Sequence, residues 1–577
     1  MPSSQWSDLL KRVDRAHHVL ARMPWAAAPV RLASSSAYRL AEVVLGRRHP
    51  HTRFVQDASQ LSSLGLKPGD TDGQGQSIAF FTVRGWFAHV ATETLLAKAL
   101  ADRGYAPSFF LCGGVLPQCD FSPPSDPHPT RPLCWRCTSF PIRLLKQVNL
   151  PMKTASDFVD VRVASQEARS RVADADSEEL FNFEYAGMPL GRYVVPSVRR
   201  TLLKGHVGTD KHARETMRSF VASACVMADV ATKFMDDHEP DVVVMSNGLF
   251  FAERIVLEVA RSRDCRVITY ERGILPNTII VSVGEPVVPF KVDPYWELQR
   301  SQPLSETERA QLQRELDRRE GGDLGVPKLW LEMETDVSQL CDSLGLSEDV
   351  PTTLLFTNIL WDTAVFERDC AFDGMLAWVI ETIEVFRGLP DQQLVVRIHP
   401  AEIRLPMEES KDRVEDRIAE QVGELPDNVH IVRPESPASS YTLIELASRI
   451  MTYTSTIGLE AAVRGKRVIV AGDVHYARRG FTVDIEERHE LTELLRDNDT
   501  FEPLTSDEVE LASRYAYAFF FRFMRPFRGF NDRGRHDREL VATSPEGLAH
   551  GSDPVFDEIC DLVIGRAELP LTSSVQD

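Results

Sequence analysis

Short apolar runs alternate with amphipathic stretches along the first half of the chain. The run 78–83 (IAFFTV) predicts a buried strand, residues 90–103 predict a helix that stops at Gly104, and residues 106–111 predict a second strand. The same order returns at 242–270, where VVVM leads through the loop Ser246–Gly248 into a helix and a further strand. Strand, helix and strand at this spacing predict βαβ units with a parallel sheet.

A second series of the same kind begins near residue 350. Its predicted strands and helices are carried by TTLLF, MLAWVIETIEVF, QLVVRIHP, NVHIV, YTLIELASRIMTYTS and KRVIVAG. The sequence therefore predicts an α/β protein with two Rossmann-like, doubly wound domains that face a cleft. Ligands of such sheets bind beyond the carboxyl ends of the strands.

The pattern divides the chain into five parts. They are a basic helical extension at 1–54, a linker at 55–76, a first Rossmann-like domain at 77–345, a second at 346–500, and helices at 501–577. The aromatic and arginine-rich run 513–530 is expected to bury on the first domain, with contact to a membrane interface as the alternative.

Length and charge narrow the class of protein. A chain of 577 residues is too long for one core. The net charge of −20 argues against general nucleic-acid binding, which requires a basic surface. No apolar run is long enough to span a bilayer, and the N-terminus lacks a secretory signal, so we expect a cytoplasmic protein.

The N-terminal extension has the opposite charge. Residues 1–53 carry nine lysines and arginines against Asp8, Asp14 and Glu42, together with an apolar stripe. This combination fits peripheral contact with the inner face of an anionic membrane. A helix packed on the main body with a solvated basic face fits equally.

A turn rich in hydroxyl groups precedes the predicted helix near Gly458. It contains Thr454, Ser455 and Thr456, whereas helix capping requires only one hydroxyl. Several hydroxyls beside a glycine and a helix start favour a phosphate site over simple capping.

The motif RIHP, followed by TSTIGLEAAVRGKRVIVAGDVHYARRGFTVDI, resembles the carboxyl-terminal half of capsular-polysaccharide glycosyltransferases. That family includes Kdo-transferring enzymes and has the two-domain GT-B fold. The resemblance implies that the domain at 77–345 binds the acceptor, that the domain at 346–500 binds the nucleotide-sugar donor, and that the helices at 501–577 cross back to the first domain. The resemblance is densest over 350–485. It departs from the family at YARRGFT, where the Kdo enzymes tend to have a Tyr-Ala-Gly-Trp-Gly-like run.

The resemblance implies a nucleotide-sugar site, because bacterial sialyltransferases of this fold hold a CMP-sugar with a similar His-Pro and Ser/Thr pair. The residues it implies are Arg397, His399, Pro400, Thr454, Ser455, Thr456, Gly458 and Glu460. His399 and Ser455/Thr456 would bracket the phosphate, and Glu460 would reach the ribose. Alternatively His399 caps local backbone, Glu460 is an ordinary first-turn carboxylate, and Arg397 pairs with a carboxylate at the sheet end.

The stretch GWFAHVATETLLAKALADRG resembles the segment that nucleotide-sugar glycosyltransferases place after their first strand, where a loop carries a histidine. In many inverting enzymes that histidine is the general base, and an imidazole titrates in the right range. The resemblance places His89 in this role, with Glu93 orienting it or serving as the carboxylate itself. A packing role for His89 at the helix start remains the alternative.

Two further strand-end residues are candidates for acceptor or sugar contacts. Glu271 follows VITY and Asp362 follows FTNILW. Each equally fits a polar group that satisfies the backbone of its loop.

Four cysteines lie in the segment 112–137, which is expected to be a loop. They are Cys112, Cys119, Cys134 and Cys137, of which the last two form a Cys-x-x-Cys pair. Such a pair is half of a zinc site, so a structural zinc is predicted. The spacing of the first two is longer than usual, and an iron–sulfur cluster or unliganded thiols remain alternatives.

These observations together predict a glycosyltransferase of capsule or other surface-polysaccharide synthesis. Its partners would be a nucleotide-sugar donor and a glycan or glycolipid acceptor, with no cofactor required for catalysis. The alternatives are a nucleotide-sugar epimerase or polyol-phosphate transferase of the same fold, and a non-catalytic docking subunit for polysaccharide assembly.

Overall fold

The computed structural model describes residues 55, 57–63, 75–120, 131–322, 334–347, 349–405, 409–534, 537–541 and 545–573. The predicted basic extension, most of the linker and part of the cysteine-rich segment lie outside these residues. Among the described helices, none combines the length and the apolar character that crossing a membrane requires.

The chain forms two compact units. The first contains 1–197, 209–286 and 526–577, and the second contains 198–208 and 287–525. The boundary at Pro286 differs from the predicted one at residue 345, because the helices that follow it pack on the second unit. Arg319 in one of these helices forms an ion pair with Glu460, 2.8 Å away.

The first unit is built on a mixed sheet. The first six of its seven strands along the chain are β1 (Ser77–Thr82), β2 (Ala106–Leu111), β3 (Met152–Thr154), β4 (Val242–Ser246), β5 (Arg266–Arg272) and β6 (Thr278–Val283). Five parallel strands run in the order β5-β4-β1-β2-β3, and β6 pairs antiparallel with β5. The parallel order is that of a dinucleotide-binding sheet and confirms the Rossmann-like prediction.

Helices cover both faces of this sheet. They are α1 (Phe87–Asp102), α2 (Arg131–Gln147), α3 (Val161–Arg171), α4 (Ser177–Phe181), α5 (Leu190–Tyr193), α7 (Lys211–His238) and α8 (Phe251–Arg261). The helix α6 (Val195–Leu202) begins in this unit, and its residues from Val198 onward belong to the second unit. Thirteen of the sixteen residues of α1 are buried. A helix buried on nearly all sides lies in the interior of its domain, and α1 therefore holds its first turn firmly.

Strand β1 lies in the interior of the sheet, between β4 and β2. Phe80 of β1 stacks on Phe109 of β2 at 5.0 Å between ring centroids. Residues of β1 are buried at five of six positions, as expected for a central strand covered on both faces.

The second unit repeats the arrangement after three helices, α9 (Asp293–Gln299), α10 (Glu306–Glu320) and α11 (Val337–Leu344). Its strands are β7 (Thr352–Phe356), β8 (Gln393–Arg397), β9 (Val429–Val432), β10 (Arg449–Thr452), β11 (Arg467–Val470) and β12 (Val483–Asp484). Their order is β12-β11-β10-β7-β8-β9, and all of these pairs are parallel. This is the complete doubly wound order that the apolar runs predict.

Helices flank the second sheet as well. They are α12 (Met375–Phe386), α13 (Ala401–Arg404), α14 (Val414–Val422), α15 (Ser440–Leu446), α16 (Ile457–Val463), α17 (Glu490–Arg496) and α18 (Ser506–Tyr517). The bounds of α12 coincide with the predicted amphipathic run. Trp378 and Ile383 of α12 are fully buried against the sheet, so the apolar face of this helix is part of the core.

The aromatic run after α18 differs from the prediction. Residues Ala518–Phe523 form a π-helical turn within the second unit, where Phe519 stacks on His475 at 4.1 Å. The chain rejoins the first unit only at Pro526. The elements after α18 are β13 (Arg525–Pro526), the hairpin β14 (Phe530–Gly534) and β15 (Asp537–Leu540), and α19 (Pro554–Val563).

Candidate functional site

At the carboxyl edge of the first sheet, the loops after β1, β4 and β5 gather several predicted residues. The structure corrects the expected position of His89, which lies in the first turn of α1 and not in the preceding loop. The helix begins earlier than predicted because Trp86 provides the extended N-cap backbone. His89 is thereby held by a rigid element.

The carboxylate of Glu271, near the end of β5, lies beside the His89 ring. Nε2 of His89 lies 3.8 Å from Oε1 of Glu271, and both side chains are partly exposed. The carboxylate is held in turn by the backbone N–H of Arg272 (2.9 Å) and by Nδ2 of Asn247 (3.1 Å). Asn247 is anchored because its Oδ1 accepts from the N–H of Leu249 at 3.0 Å. The arrangement is a base candidate with an oriented carboxylate beside it.

A cavity opens beside this pair. Its volume is about 280 Å³, including space open to solvent. The residues that line it are Ala88, His89, Thr92, Tyr270, Arg272, Thr278, Ile279 and Phe527. The lining contains both apolar and polar side chains.

Glu93 has a different environment from the one predicted. Its side chain is 1% exposed and accepts hydrogen bonds from the hydroxyls of Thr82 and Tyr270 (2.8 Å for Tyr270). Burial raises the pKa of Glu93 to about 7. A carboxyl enclosed in this way does not reach a substrate, so Glu93 supports Tyr270 while Glu271 accompanies His89.

A buried ionic cluster in the same unit was not anticipated. Arg84 donates to Asp120 (2.8 Å) and to Glu253, and all three side chains are almost fully buried. The guanidinium also lies over the rings of Trp86 (4.5 Å) and Phe250 (5.0 Å). The cluster ties together the loops after β1, β2 and β4. The only signal in the sequence was an arginine placed directly after the first buried strand.

The cysteine-rich segment also differs from its prediction. Cys134 and Cys137 lie within α2, although the segment was expected to be a loop. Sγ of Cys137 accepts from the N–H of Gly85 at 3.1 Å, and burial raises the pKa of this thiol to about 12. Among the described residues, which include all four cysteines, no three His, Cys, Asp or Glu side chains are arranged to hold a metal ion. The zinc site thus finds no support in this part of the chain.

In the second unit, the loops after β8 and β10 carry the two motifs of the predicted donor site. The strand between them is β7, and its loop joins both. Thr357 Oγ1 accepts from the N–H of His399 (3.1 Å), and Oδ1 of the next residue, Asn358, accepts from the N–H of Thr454 (3.3 Å). Two motifs that are more than fifty residues apart in sequence are therefore neighbours at one sheet edge.

His399 is held in one orientation. Its Nδ1 accepts from the N–H of Ala401 at 3.1 Å, and Pro400 provides the N-cap of the short helix α13. Burial lowers the pKa of His399 to about 4, so the ring is neutral at pH 7. A neutral ring whose Nδ1 accepts carries its proton on Nε2, which leaves Nε2 as a hydrogen-bond donor.

Tyr476 forms hydrogen bonds that hold the hydroxyl-rich turn in place. The Tyr476 hydroxyl donates to the carbonyl of Ser455 (2.6 Å) and lies 3.0 Å from Oγ1 of Thr452. A Cβ at Gly458 would lie only 2.2 Å from that hydroxyl, so only glycine fits there. Gly458 thus serves the packing of the turn, and Oγ1 of Thr454 is buried with no hydrogen-bond partner among the described residues.

Two predicted donor residues are committed to other partners. Glu460 is 1% exposed and accepts from Arg319 and from the hydroxyl of Tyr441 (2.6 Å). Arg397 is buried and donates to the carbonyls of Arg433 (2.8 Å), Ala438 and Ser436. Contrary to the prediction, neither side chain is available to a nucleotide, and Arg397 has no carboxylate partner at the sheet end among the described residues.

The negative charge of Asp362 raises the pKa of His399, against the larger effect of burial. Its carboxylate also accepts from the N–H of Ala364 at 3.1 Å. The charge of Asp362 acts on Arg199 as well, a residue of α6 that the sequence did not indicate. Asp362 therefore stays a candidate, and Arg199 joins it.

Residues 343–502 match a family model described as "Capsule polysaccharide biosynthesis protein". No curated protein matches the chain. Among solved structures, the chain is similar to the β-Kdo 2,4-transferase KpsC of Thermosulfurimonas dismutans (15% identity, 53% of this chain and 86% of that one, TM-score 0.34). It is also similar to the UDP-GlcNAc 2-epimerase of Methanocaldococcus jannaschii (13% identity, 75% and 97%, TM-score 0.26).

At these TM-scores the structural likenesses carry no argument, and the fold rests on the strand order of each unit. The family match is more informative, because the matched segment contains Asp362, the His-Pro motif and the whole hydroxyl-rich turn. Residues 343–502 of the chain are therefore similar to the capsule polysaccharide biosynthesis proteins.

Proposed function

We propose that this protein is a glycosyltransferase that takes a sugar from a nucleotide-activated donor and adds it to a glycan or glycolipid in the synthesis of a capsule or other surface polysaccharide. The observation that carries the proposal is the joining of the two donor motifs. Thr357 and Asn358 hold the backbones of His399 and Thr454 side by side, inside the segment that matches the family.

The donor edge is suited to a phosphate leaving group. Negative charge develops on the phosphate as the sugar departs, and donors fixed in advance stabilise that charge. Nε2 of His399 and the hydroxyls of Ser455 and Thr456 are such donors. None of them needs a metal ion to act, and the proposal assigns no metal to the transfer step.

The acceptor edge is assigned to His89 and Glu271. In an inverting reaction His89 would accept the proton of the attacking hydroxyl, and the Glu271 carboxylate 3.8 Å away would stabilise the imidazolium. Asn247 and the N–H of Arg272 keep that carboxylate in place. A retaining reaction would not require this base, so the pair also provides a test of stereochemistry. The type of sugar transferred, whether a hexose or an acidic sugar such as Kdo or sialic acid, belongs to the same proposal.

Thermal unfolding with CMP, CDP, UDP and GDP tests the proposal. A ligand that binds the folded state at a hundred times its Kd stabilises it by about 2.7 kcal/mol, which is readily seen as a rise in Tm. We expect the nucleotides of one nucleobase to raise the Tm clearly. A variant that combines Ser455→Ala with Thr456→Val should lose this rise in Tm.

The exposed Ser506→Ala variant is the control, because Ser506 lies at the start of α18 outside the proposed site. It should keep the full rise in Tm. A protein that none of the four nucleotides stabilises would contradict the proposal and favour a docking subunit.

A further inference from the structure

The proposed donor site contains few available positive charges. His399 is neutral, Arg397 is saturated by carbonyls, and Arg319 is paired with Glu460. A nucleotide phosphate carries one or more negative charges, and sites that bind phosphate usually supply a cation, most often arginine. Arg199, which contacts the loop after β7, has no direct carboxylate partner among the described residues.

Arg199 is half-buried on α6, within the part of the chain that belongs to the second unit. Its Nη2 donates to the carbonyl of Leu360 in the loop after β7, and its guanidinium lies 5.8 Å from the ring centre of Phe366. The loop that holds it is the same loop that joins His399 to Thr454. Arg199 is therefore attached directly to the framework of the donor site.

The charges of Asp362 and Asp369 both act on Arg199. Asp362 acts on both Arg199 and His399, while Asp369 acts on Arg199 and accepts a hydrogen bond from the hydroxyl of Tyr453. Tyr453 directly precedes Thr454. Asp362 thus acts on both Arg199 and the His-Pro motif. Asp369 acts on Arg199 and is hydrogen-bonded to the residue before the hydroxyl-rich turn.

Arg199 lacks the direct carboxylate partner that Arg84 and Arg319 have. Arg84 and Arg319 each form direct ion pairs within 3 Å of a carboxylate. Among the described residues, Arg199 has no carboxylate oxygen within ion-pair distance, and its Nε is buried with no hydrogen-bond partner. Burial lowers the pKa of Arg199 even though Asp369, Asp362 and Asp412 act in the opposite direction.

The carboxylates near Arg199 are themselves occupied. Asp412 accepts from His206 at 3.1 Å and from the N–H of Gly205 at 3.2 Å, and Asp362 accepts from the loop backbone. A partly buried charge without a direct counter-ion costs free energy, and an anionic ligand removes that cost.

We propose that Arg199 binds the phosphate of the nucleotide donor and supplies the positive charge that the two donor motifs lack. This inference rests on the proposed function, because it assumes that the edge formed by His399 and the hydroxyl-rich turn holds a nucleotide. Arg199 is thereby a binding residue that comes from outside the segment matched by the family.

The test compares a nucleotide with its own nucleoside. The probes are whichever of CMP, CDP, UDP or GDP stabilises the protein, and the corresponding cytidine, uridine or guanosine. Arg199→Gln should weaken nucleotide binding by about ten- to a hundredfold, because a charge-assisted hydrogen bond is lost, and should leave nucleoside binding unchanged. Arg192→Gln is the control, since Arg192 lies in the first unit with its guanidinium 5.8 Å from the ring centre of Phe181.

A second measurement uses the unaltered protein, in case Arg199→Gln does not fold. Phenylglyoxal modifies accessible arginines, and peptide mapping by mass spectrometry reports the modification of Arg199. The nucleotide should slow this modification and the nucleoside should not. Equal nucleotide affinity in Arg199→Gln, or no protection of Arg199 by a bound nucleotide, overturns the inference while the proposed function stands. Failure of the unaltered protein to bind any of the nucleotides overturns both.

Discussion

Nε2 of His89 lies 3.8 Å from Oε1 of Glu271, although the two residues are 182 positions apart in the chain. Each comes from the carboxyl edge of the same sheet, where α1 follows β1 and Glu271 lies near the end of β5. The pair replaces the expected pairing of His89 with Glu93. It leads to the first of four predictions.

His89→Ala should lower kcat by about a hundredfold or more while donor affinity stays nearly constant, since general-base catalysis contributes about 10²–10⁴. Glu271→Gln should lower kcat less, because the imidazole remains, and should shift the acidic limb of the pH–rate profile. Steady-state kinetics across pH measure both effects.

Glu215→Gln is a suitable control, because Glu215 is half-exposed and forms only a surface ion pair with Lys211. Near-normal turnover in His89→Ala would remove the base assignment and would favour a retaining mechanism.

Glu93→Gln should change how stability depends on pH. The folded-state pKa of Glu93 is about 7, against 4.5 for the unfolded chain. Between these values the unfolded carboxyl is ionised while the folded one keeps its proton, so the folded state binds more protons and stability falls as pH rises. The penalty is absent below pH 4.5 and complete above pH 7.

The free energy of unfolding of Glu93→Gln, relative to that of the unaltered protein, should therefore be about 1–3 kcal/mol higher at pH 8 than at pH 4.5. One pKa unit corresponds to about 1.4 kcal/mol. Urea unfolding at the two pH values measures the difference. The exposed Glu167→Gln variant on α3 should show none. A difference that does not change with pH would show that Glu93 is ionised in the folded protein.

His399 is expected to contribute to nucleotide binding as a neutral donor and to stability as an acceptor. His399→Asn retains an acceptor for the N–H of Ala401 but lacks the distal Nε2 donor. It should keep the Tm close to its original value and weaken nucleotide binding by about two- to tenfold, the range for a neutral hydrogen bond. His399→Ala should lose both the hydrogen bond from the N–H of Ala401 and the Nε2 contact with the nucleotide.

Isothermal titration calorimetry and thermal unfolding separate the two roles. If His399→Asn binds the nucleotide as well as the unaltered protein does, Nε2 makes no contact with the donor and His399 only caps its loop.

Gly458→Ala should destabilise the second unit by about 1–3 kcal/mol, because the new Cβ would lie 2.2 Å from the Tyr476 hydroxyl and 2.9 Å from Oγ1 of Thr452. Removing that hydroxyl with Tyr476→Phe should relieve much of the clash. The double variant should therefore be more stable than the sum of the two single effects predicts.

Chemical unfolding of the single and double variants measures this coupling. Gly388→Ala is the matched control, since an added Cβ there meets only the Val385 carbonyl at 3.6 Å and should have little effect. Strict additivity of Gly458→Ala and Tyr476→Phe would show that the hydroxyl is not what requires glycine.

Local pattern determined the elements of this protein. The apolar runs located most of the parallel strands to within one or two residues, and the bounds of β2 and α12 coincide with those predicted, but β3, β6 and β12 were not predicted. Apolar runs predict these elements reliably because a parallel strand is buried on both faces and a flanking helix on one. Each kind of burial therefore produces its own pattern of apolar residues in the sequence. The His-Pro motif and the hydroxyl-rich turn were found in the same way, since each follows a recognisable strand.

Tertiary structure alone decided which side chains are free to act. Glu460 and Arg397 lie where the motifs suggested, but Arg319 and Tyr441 occupy the first and loop carbonyls occupy the second. Glu271 became the partner of His89, and Arg199 approached the donor motifs, through strand order and helix packing rather than through proximity in the chain. A sequence specifies the chemistry of each side chain, whereas the partner of a buried charge depends on which distant segment packs against it, because burial requires that charge to find a counter-charge or a hydrogen bond wherever the fold provides one.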